Sequence, residues 1–239
     1  MALTSRPLAA DLRHDLNLEI LPPVISEREL VRSRIMDVGV VPVLRTTSEE
    51  DALFATGALM ESGIPIVEIS ATFPGFLQLI DRLSQEFPGL TVGAGSLFDS
   101  KMARRCLDAG AKFLTSDGFV SEVVEFAIAE EVAVFPGALT PTEIIAAWKT
   151  GAEFVRVTPC DAMGGPSYIR SLKVLFPQVR FIASGGVDQH NVQDFIKAGA
   201  SALSAGKDLV PSEAVRLRQT HRIQELARRF LTSIDTARC

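Results

Sequence analysis

Cysteine is scarce in this chain: Cys106, Cys160 and the terminal Cys239 are the only three in 239 residues. Three scattered thiols make neither a disulfide framework nor a zinc site, which points to a reducing, cytoplasmic setting. Histidine is equally sparse. His14, His190 and His221 fall in the N-terminal segment and in helical stretches, so no metal site is expected from them. There is no excess of positive charge either: 24 Lys and Arg stand against 29 Asp and Glu, a net charge of -5. That balance lacks the basic footprint of a nucleic-acid or anionic-membrane binder. Long apolar runs are missing as well. AIAEEVAVFPGAL is broken by Glu130 and Glu131 and then by Pro136-Gly137, short of the ~18 residues a membrane span needs. The first twenty residues carry Asp11 and Asp15 and no continuous apolar core, unlike a secretory signal. A soluble intracellular protein with no membrane or nucleic-acid partner is expected.

What the chain does have is 47% apolar content and a recurring phrase. An amphipathic stretch ends in a small residue with Gly, four to six mostly apolar residues follow, and a polar or Gly-rich turn closes the unit. ESG-IPIVEIS, DAG-AKFLTS, KTG-AEFVRVT and KAG-ASALSAG all read this way. Gly63, Gly110, Gly151 and Gly199 stand where a helix needs a left-handed residue to stop, and the apolar runs after them suit strands buried on both faces. Strands are expected near Val40 to Arg45, Ile66 to Ser70, Leu90 to Gly93, Lys112 to Ser116, Ala133 to Phe135, Phe154 to Thr158, Arg180 to Ser184 and Ala202 to Ala205. Helical patterns lie between them, two opened by capping signals at Ser48 and at Thr140-Pro141-Thr142-Glu143. Eight evenly spaced units favour an α/β fold of the (β/α)8 TIM-barrel type over an open doubly wound sheet. Residues 1–25 read as an irregular leader and 26–239 as one barrel domain. Within it, Ser26 to Met36 forms an extra N-terminal helix suited to cover the barrel floor. A closing helix carries Leu217, Ile223, Leu226, Phe230 and Ile234 as one stripe.

In such a barrel the C-terminal strand ends and the loops after them form the active face. The polar residues gathered there include Arg45, Glu68, Ser70, Thr72, Ser96, Thr115, Ser116, Asp117, Arg156, Thr158, Asp161, Ser184, Lys207 and Asp208. Three loops are rich in glycine: Gly164-Gly165 after the sixth strand, Gly185-Gly186 after the seventh and Gly206 before Lys207 after the eighth. Glycine lets backbone N–H groups approach an anion, so these are phosphate candidates; tight turns alone would also use them. In IVEIS, alternation sets Glu68 with Ile66 and Ser70 on one face, and in FVRVT it sets Arg156 with Phe154 and Thr158. Inside a barrel such a carboxylate can act as a general acid/base or be half of an ion pair with Arg156 or Arg45. An inward arginine is a carboxylate or phosphate anchor and no nucleophile. No His at a strand end could activate Cys160. The spacing of Glu68, Asp117 and Asp161 is not diagnostic of a metal.

In order along the chain, VVPVLR, IVEIS, VGAGS, KFLTSDG, VFPGALTPTE, FVRVTP-CDAMGG, FIASGGV and AGKDLVP resemble the 2-keto-3-deoxy-6-phosphogluconate / 4-hydroxy-2-oxoglutarate aldolase family, over about residues 35–212. The resemblance implies a (β/α)8 class I aldolase, a homotrimer that binds a keto acid, releases pyruvate through a lysine imine and needs no cofactor. It makes Glu68 the general acid/base, Arg45 and Ser96 substrate contacts, Gly137 the turn after the fifth strand, and Gly185, Gly186, Gly206 and Lys207 the phosphate loops. Three positions depart from the pattern. Arg156 of RVTP stands where the family has its imine lysine, Thr72 replaces a substrate-binding arginine, and Ser116-Asp117-Gly118 replaces SPG. Arginine cannot form the imine, because its guanidinium stays protonated. Of six lysines only Lys207 reaches the active face. Three readings stand open: an aldolase working through Lys207 or another route, a non-imine enolising isomerase, epimerase or metal-assisted lyase, and a retired barrel that binds a sugar-acid phosphate.

Overall fold

The computed structural model describes residues 25–46 and 48–239, so all of the expected leader but Ile25 lies outside the described residues. Nine parallel strand segments form one sheet: β1 (Val40–Leu44), β2 (Ile66–Ser70), β3 (Thr91–Gly95), β4 (Phe113–Thr115), β5 (Ala133–Phe135), β6 (Gly137–Ala138), β7 (Val155–Val157), β8 (Phe181–Ser184) and β9 (Ala202–Ala205). Their order is β5-β4-β3-β2-β1-β9-β8-β7-β6. The two end segments are one strand of the chain, interrupted at Pro136. Proline has no N–H for a ladder, but its carbonyl accepts from the Arg156 N–H at 2.9 Å, and the barrel closes there. The eight expected strands are therefore nine segments, and the sixth to eighth of the sequence are β7, β8 and β9.

Helices α2 (Glu49–Glu61), α3 (Phe76–Glu86), α4 (Ser100–Asp108), α5 (Ser121–Ala129), α6 (Pro141–Lys149), α7 (Pro166–Leu175) and α8 (Val192–Lys197) alternate with the strands around the barrel. Ser48 caps α2 through the Asp51 N–H, and Thr140 with Glu143 forms a full capping box on α6, as the sequence implies. The four helix-stopping glycines all take positive φ, from 86° to 104°. A short helix α9 (Ser212–Arg216) precedes α10 (Thr220–Arg238), which buries Ile223, Phe230 and Ile234. Leu217, counted in the same stripe, falls between the two helices and is exposed.

α1 (Glu27–Val38) covers the N-terminal ends of the strands, with Val31 and Ile35 buried against them. Arg28 pins it, donating from Nε at 2.6 Å to the buried Glu153. Glu153 in turn accepts from the Val134 N–H at 2.9 Å. Above this floor sits an aromatic layer. Phe113 stacks on Phe135 at 5.1 Å between centroids, and Phe154 meets Phe135 edge-on at 5.2 Å. Gly93 makes the layer possible, because a Cβ there would lie 2.1 Å from the Phe113 ring. No helix among the described residues is long and apolar enough to cross a membrane.

Candidate functional site

One layer above the aromatic floor, the barrel holds a charge pair. Arg156 on β7 and Glu68 on β2 are each 2% exposed, and they meet through Arg156 Nη1 at 2.8 Å from Glu68 Oε1 and 3.1 Å from Oε2. The strands place them there by alternation: both point inward, as do Gly93 and Gly95 on β3. Gly95 leaves the space, since its Cβ would come 2.1 Å from Glu68 Oε1 and 2.8 Å from Thr115 Oγ1. Thr115 accepts from Arg156 Nη1 at 3.0 Å, and Ser204 on β9 accepts from Nη2 at 3.3 Å. Buried charges are tolerated only when paired and hydrogen-bonded in this way.

Toward the C-terminal ends of the strands the barrel opens into a cavity of about 480 Å³, within the range of small-molecule sites. Arg156, Thr158, Ser184 and Ser204 form its inner wall. Arg45, Lys207, Gly185, Gly186 and Gly206 also line it. Arg45 and Lys207 are exposed. The backbone N–H groups of Gly185, Gly186, Gly206 and Lys207 donate to no carbonyl among the described residues. Two arginines, a lysine and these N–H groups around one concavity can hold an anion. Lys207 is the one lysine among the lining residues; Lys112 pairs with Glu27 at the barrel floor, and Lys173 donates to the Val179 carbonyl.

Several of the residues singled out in the sequence lie outside the cavity lining. Glu68 is behind Arg156. Ser96, at a left-handed φ of 60°, is buried in a hydroxyl chain with Ser70 at 3.2 Å, and Ser70 meets Thr72 at 3.1 Å. Asp117 is exposed. Its backbone presses on Gly137, where a Cβ would lie 2.4 Å from the Asp117 carbonyl carbon, so Gly137 admits that loop. Asp161, in a 3-10 turn over Asp161–Met163, packs on Gly186, where a Cβ would lie 2.3 Å from that of Asp161. Gly164 and Gly165 cap that turn and start α7 at positive φ. Cys160 is buried, its Sγ 3.6 Å from the Gly165 carbonyl oxygen, and burial pushes its thiol up to about 12, so it stays protonated at neutral pH. Among the described residues no group of three or more His, Cys, Asp or Glu could hold a metal ion. Ser204 is the wall residue the sequence reading missed; the alternation in ALSA carried the signal, setting it inward with Ala202.

A family profile described as KDPG and KHG aldolase matches residues 31–226. The chain belongs to this aldolase family. The 2-dehydro-3-deoxy-phosphogluconate aldolase of Pseudomonas aeruginosa is 30% identical over 195 residues, covering 82% of this chain and 89% of the relative. The KHG/KDPG aldolase of Escherichia coli K12 is 28% identical, with 79% and 89% covered. The KDPG aldolase of Legionella pneumophila, solved with pyruvate captured as a covalent carbinolamine intermediate, superposes with a TM-score of 0.77 at 26% identity, covering 82% of this chain and 96% of that one. The 2-keto-3-deoxy-6-phosphogluconate aldolase of Zymomonas mobilis, solved with 3-phosphoglycerate, gives 0.76 at 25% identity, with 83% and 94% covered.

Proposed function

We propose that this chain is a carbon–carbon lyase that binds a 2-keto-3-deoxy sugar acid, phosphorylated at its far end, or 4-hydroxy-2-oxoglutarate, and releases pyruvate without an imine. The observation that carries this is Arg156 itself: a guanidinium stands on the inner wall of the cation-lined cavity, at the position that the sequence resemblance gives to the family's imine lysine. In retro-aldol cleavage the electrons of the breaking bond pass to the 2-oxo oxygen as an enolate. A guanidinium fixed by Glu68, Thr115 and Ser204 stabilises that charge electrostatically, with no covalent bond. Glu68 is the residue within reach of Arg156 that can accept and return a proton. Arg45, Lys207 and the glycines of the β8 and β9 turns hold the far anion. A cytoplasmic homotrimer completes this reading, and light scattering tests the assembly.

A second reading is favoured by the same contact seen from Glu68. Both carboxylate oxygens face Arg156 Nη1, and Glu68 is not among the residues lining the cavity, which suits a barrel that binds the ligand without turning it over. Borohydride trapping with pyruvate, followed by intact-mass and peptide mass spectrometry, tests the absence of the imine. No adduct is expected on the wild-type chain under conditions that label a lysine-bearing relative. An adduct on Lys207 overturns the non-imine mechanism and shows that the imine lysine has moved to β9. Pyruvate release from 2-keto-3-deoxy-6-phosphogluconate, read with a coupled dehydrogenase, separates lyase from binder.

A further inference from the structure

Arg156 has more hydrogen-bonding capacity than the protein uses. A guanidinium presents five N–H donors in a rigid planar fork. Nη1 is committed to Glu68 and Thr115. Nη2 makes one long bond, 3.3 Å to Ser204 Oγ. Nε is fully buried and has no partner, and the only other buried side-chain polar atom in that condition among the described residues is Thr56 Oγ1. Folds pair such groups nearly everywhere, so an N–H without a protein partner on a buried guanidinium is a donor open to a ligand or a water.

Nε–H and the nearer N–H of Nη2 lie on one side of the guanidinium, the edge away from Nη1, and their spacing matches the two oxygens of a carboxylate. Arg156 and Ser204, the partner of Nη2, both line the cavity, whereas Glu68 and Thr115, the partners of Nη1, do not, so the Nη2 side of the guanidinium is the one that belongs to the cavity wall. Ser184 on β8 and Ser204 on β9 pair in register, and with Thr158 they put three hydroxyls on the same wall.

We infer that the Nε–Nη2 edge of Arg156, with Ser184 and Ser204, is a carboxylate subsite at the base of the cavity that selects 2-oxo acids over uncharged analogues. The ligand enters carboxylate first, leaving its far anion against Arg45, Lys207, Gly185, Gly186 and Gly206. The inference rests on the reading of the cavity as a site for phosphorylated sugar acids and adds which end goes where. Arg156 is thus a specificity-determining residue as well as a charge.

Calorimetric titration of the full chain with 3-phosphoglycerate and with glycerol 3-phosphate tests it, since both carry a phosphate and only one a carboxylate. The wild type is expected to prefer 3-phosphoglycerate by at least about tenfold, the scale of a charge-assisted pair. Replacing both members of the ion pair, Arg156→Met with Glu68→Met, avoids a stranded charge and is expected to shrink the preference below about threefold. Ser204→Ala shrinks it part of the way, and Lys207→Ala weakens both ligands by one common factor. Equal affinity of the wild type for the two ligands overturns the subsite and leaves the phosphate reading standing. A preference that survives in the double variant also overturns it, because the carboxylate is then read elsewhere. Binding of neither ligand overturns the cavity reading and the subsite with it. On the unaltered protein, the ¹⁵Nε–¹H resonance of Arg156 is expected to shift on addition of pyruvate; a resonance that does not move sinks the proposal without any variant.

Discussion

Arg156→Met and Glu68→Met, singly and together, give the sharpest test of how the barrel interior is held. The pair is buried, with side chains 2% and 3% exposed, so removing either partner strands a charge in the interior. Such breaks cost about 3–5 kcal/mol, whereas removing both partners at once in favour of apolar groups is often near neutral. The environment of each partner decides which single change is worse. Glu68 accepts only from Arg156 among the described residues, so Arg156→Met leaves a carboxylate with nothing and should fall at the upper end, about 5 kcal/mol. Arg156 keeps Thr115, Ser204 and the open cavity when Glu68 is lost, so Glu68→Met should fall near 3 kcal/mol. The double variant frees the Thr115 and Ser204 hydroxyls and is expected about 1–2 kcal/mol below wild type. Equilibrium urea unfolding reads these differences. In a chain of this size each kcal/mol also moves Tm by about 2–4 °C. If the double variant loses the sum of the two single losses, the coupling is absent and the buried pair is not what the two side chains do for one another.

Arg156→Lys should convert the site to imine chemistry: borohydride with pyruvate is expected to leave an adduct at position 156, and peptide mapping that finds none there argues that Arg156 does not occupy the imine position. Gly95→Ala drives a methyl to within 2.1 Å of Glu68 Oε1 and should cost about 3 kcal/mol or more, with loss of ligand binding; Gly118→Ala, with nothing within 4 Å, should stay within about 0.5 kcal/mol by the same unfolding assay. The thiols of Cys106 and Cys160 are both pushed up to about 12 by burial, from an ordinary value near 9. Above pH 9 the unfolded chain loses these protons and the folded chain keeps them, so stability should fall as pH rises from about 9 toward 12, and Cys106→Ala with Cys160→Ala should flatten that slope in unfolding curves. At pH 8 iodoacetamide should label the exposed Cys239 and leave the two buried thiols intact, as intact mass will report.

The architecture was legible because its signals are local. Helix-stopping glycines at 63, 110, 151 and 199, apolar runs after them and caps at Ser48 and Thr140 each act within a few residues, and the chain repeats them around the barrel. The inward direction of Glu68 and Arg156 was legible for the same reason, since strand alternation has a fixed period of two. One segment was not: the expected strand Ala133 to Phe135 is β5, but its continuation past Pro136 as β6 was not expected, because a missing N–H can be placed only when its ladder partner is known. What a strand-end residue does depends on what faces it from elsewhere in the barrel. Gly137 reads as a turn glycine and Gly186 as a phosphate glycine, and in the barrel each also makes room for a neighbour, the Asp117 backbone and the Asp161 side chain. Ser96 reads as a substrate contact and is buried against Ser70.

The sequence by itself determined that this chain forms eight βα units, closes with a C-terminal helix and belongs with the keto-acid aldolases, all of which follow from periodicity, turn chemistry and ordered motifs. Only the tertiary structure decided that Glu68 and Arg156, 88 positions apart, neutralise one another, and that one edge of the guanidinium is left over. Hydrogen-bond accounting is a property of neighbours in space. An unpaired Nε cannot be counted until every strand around it is in place.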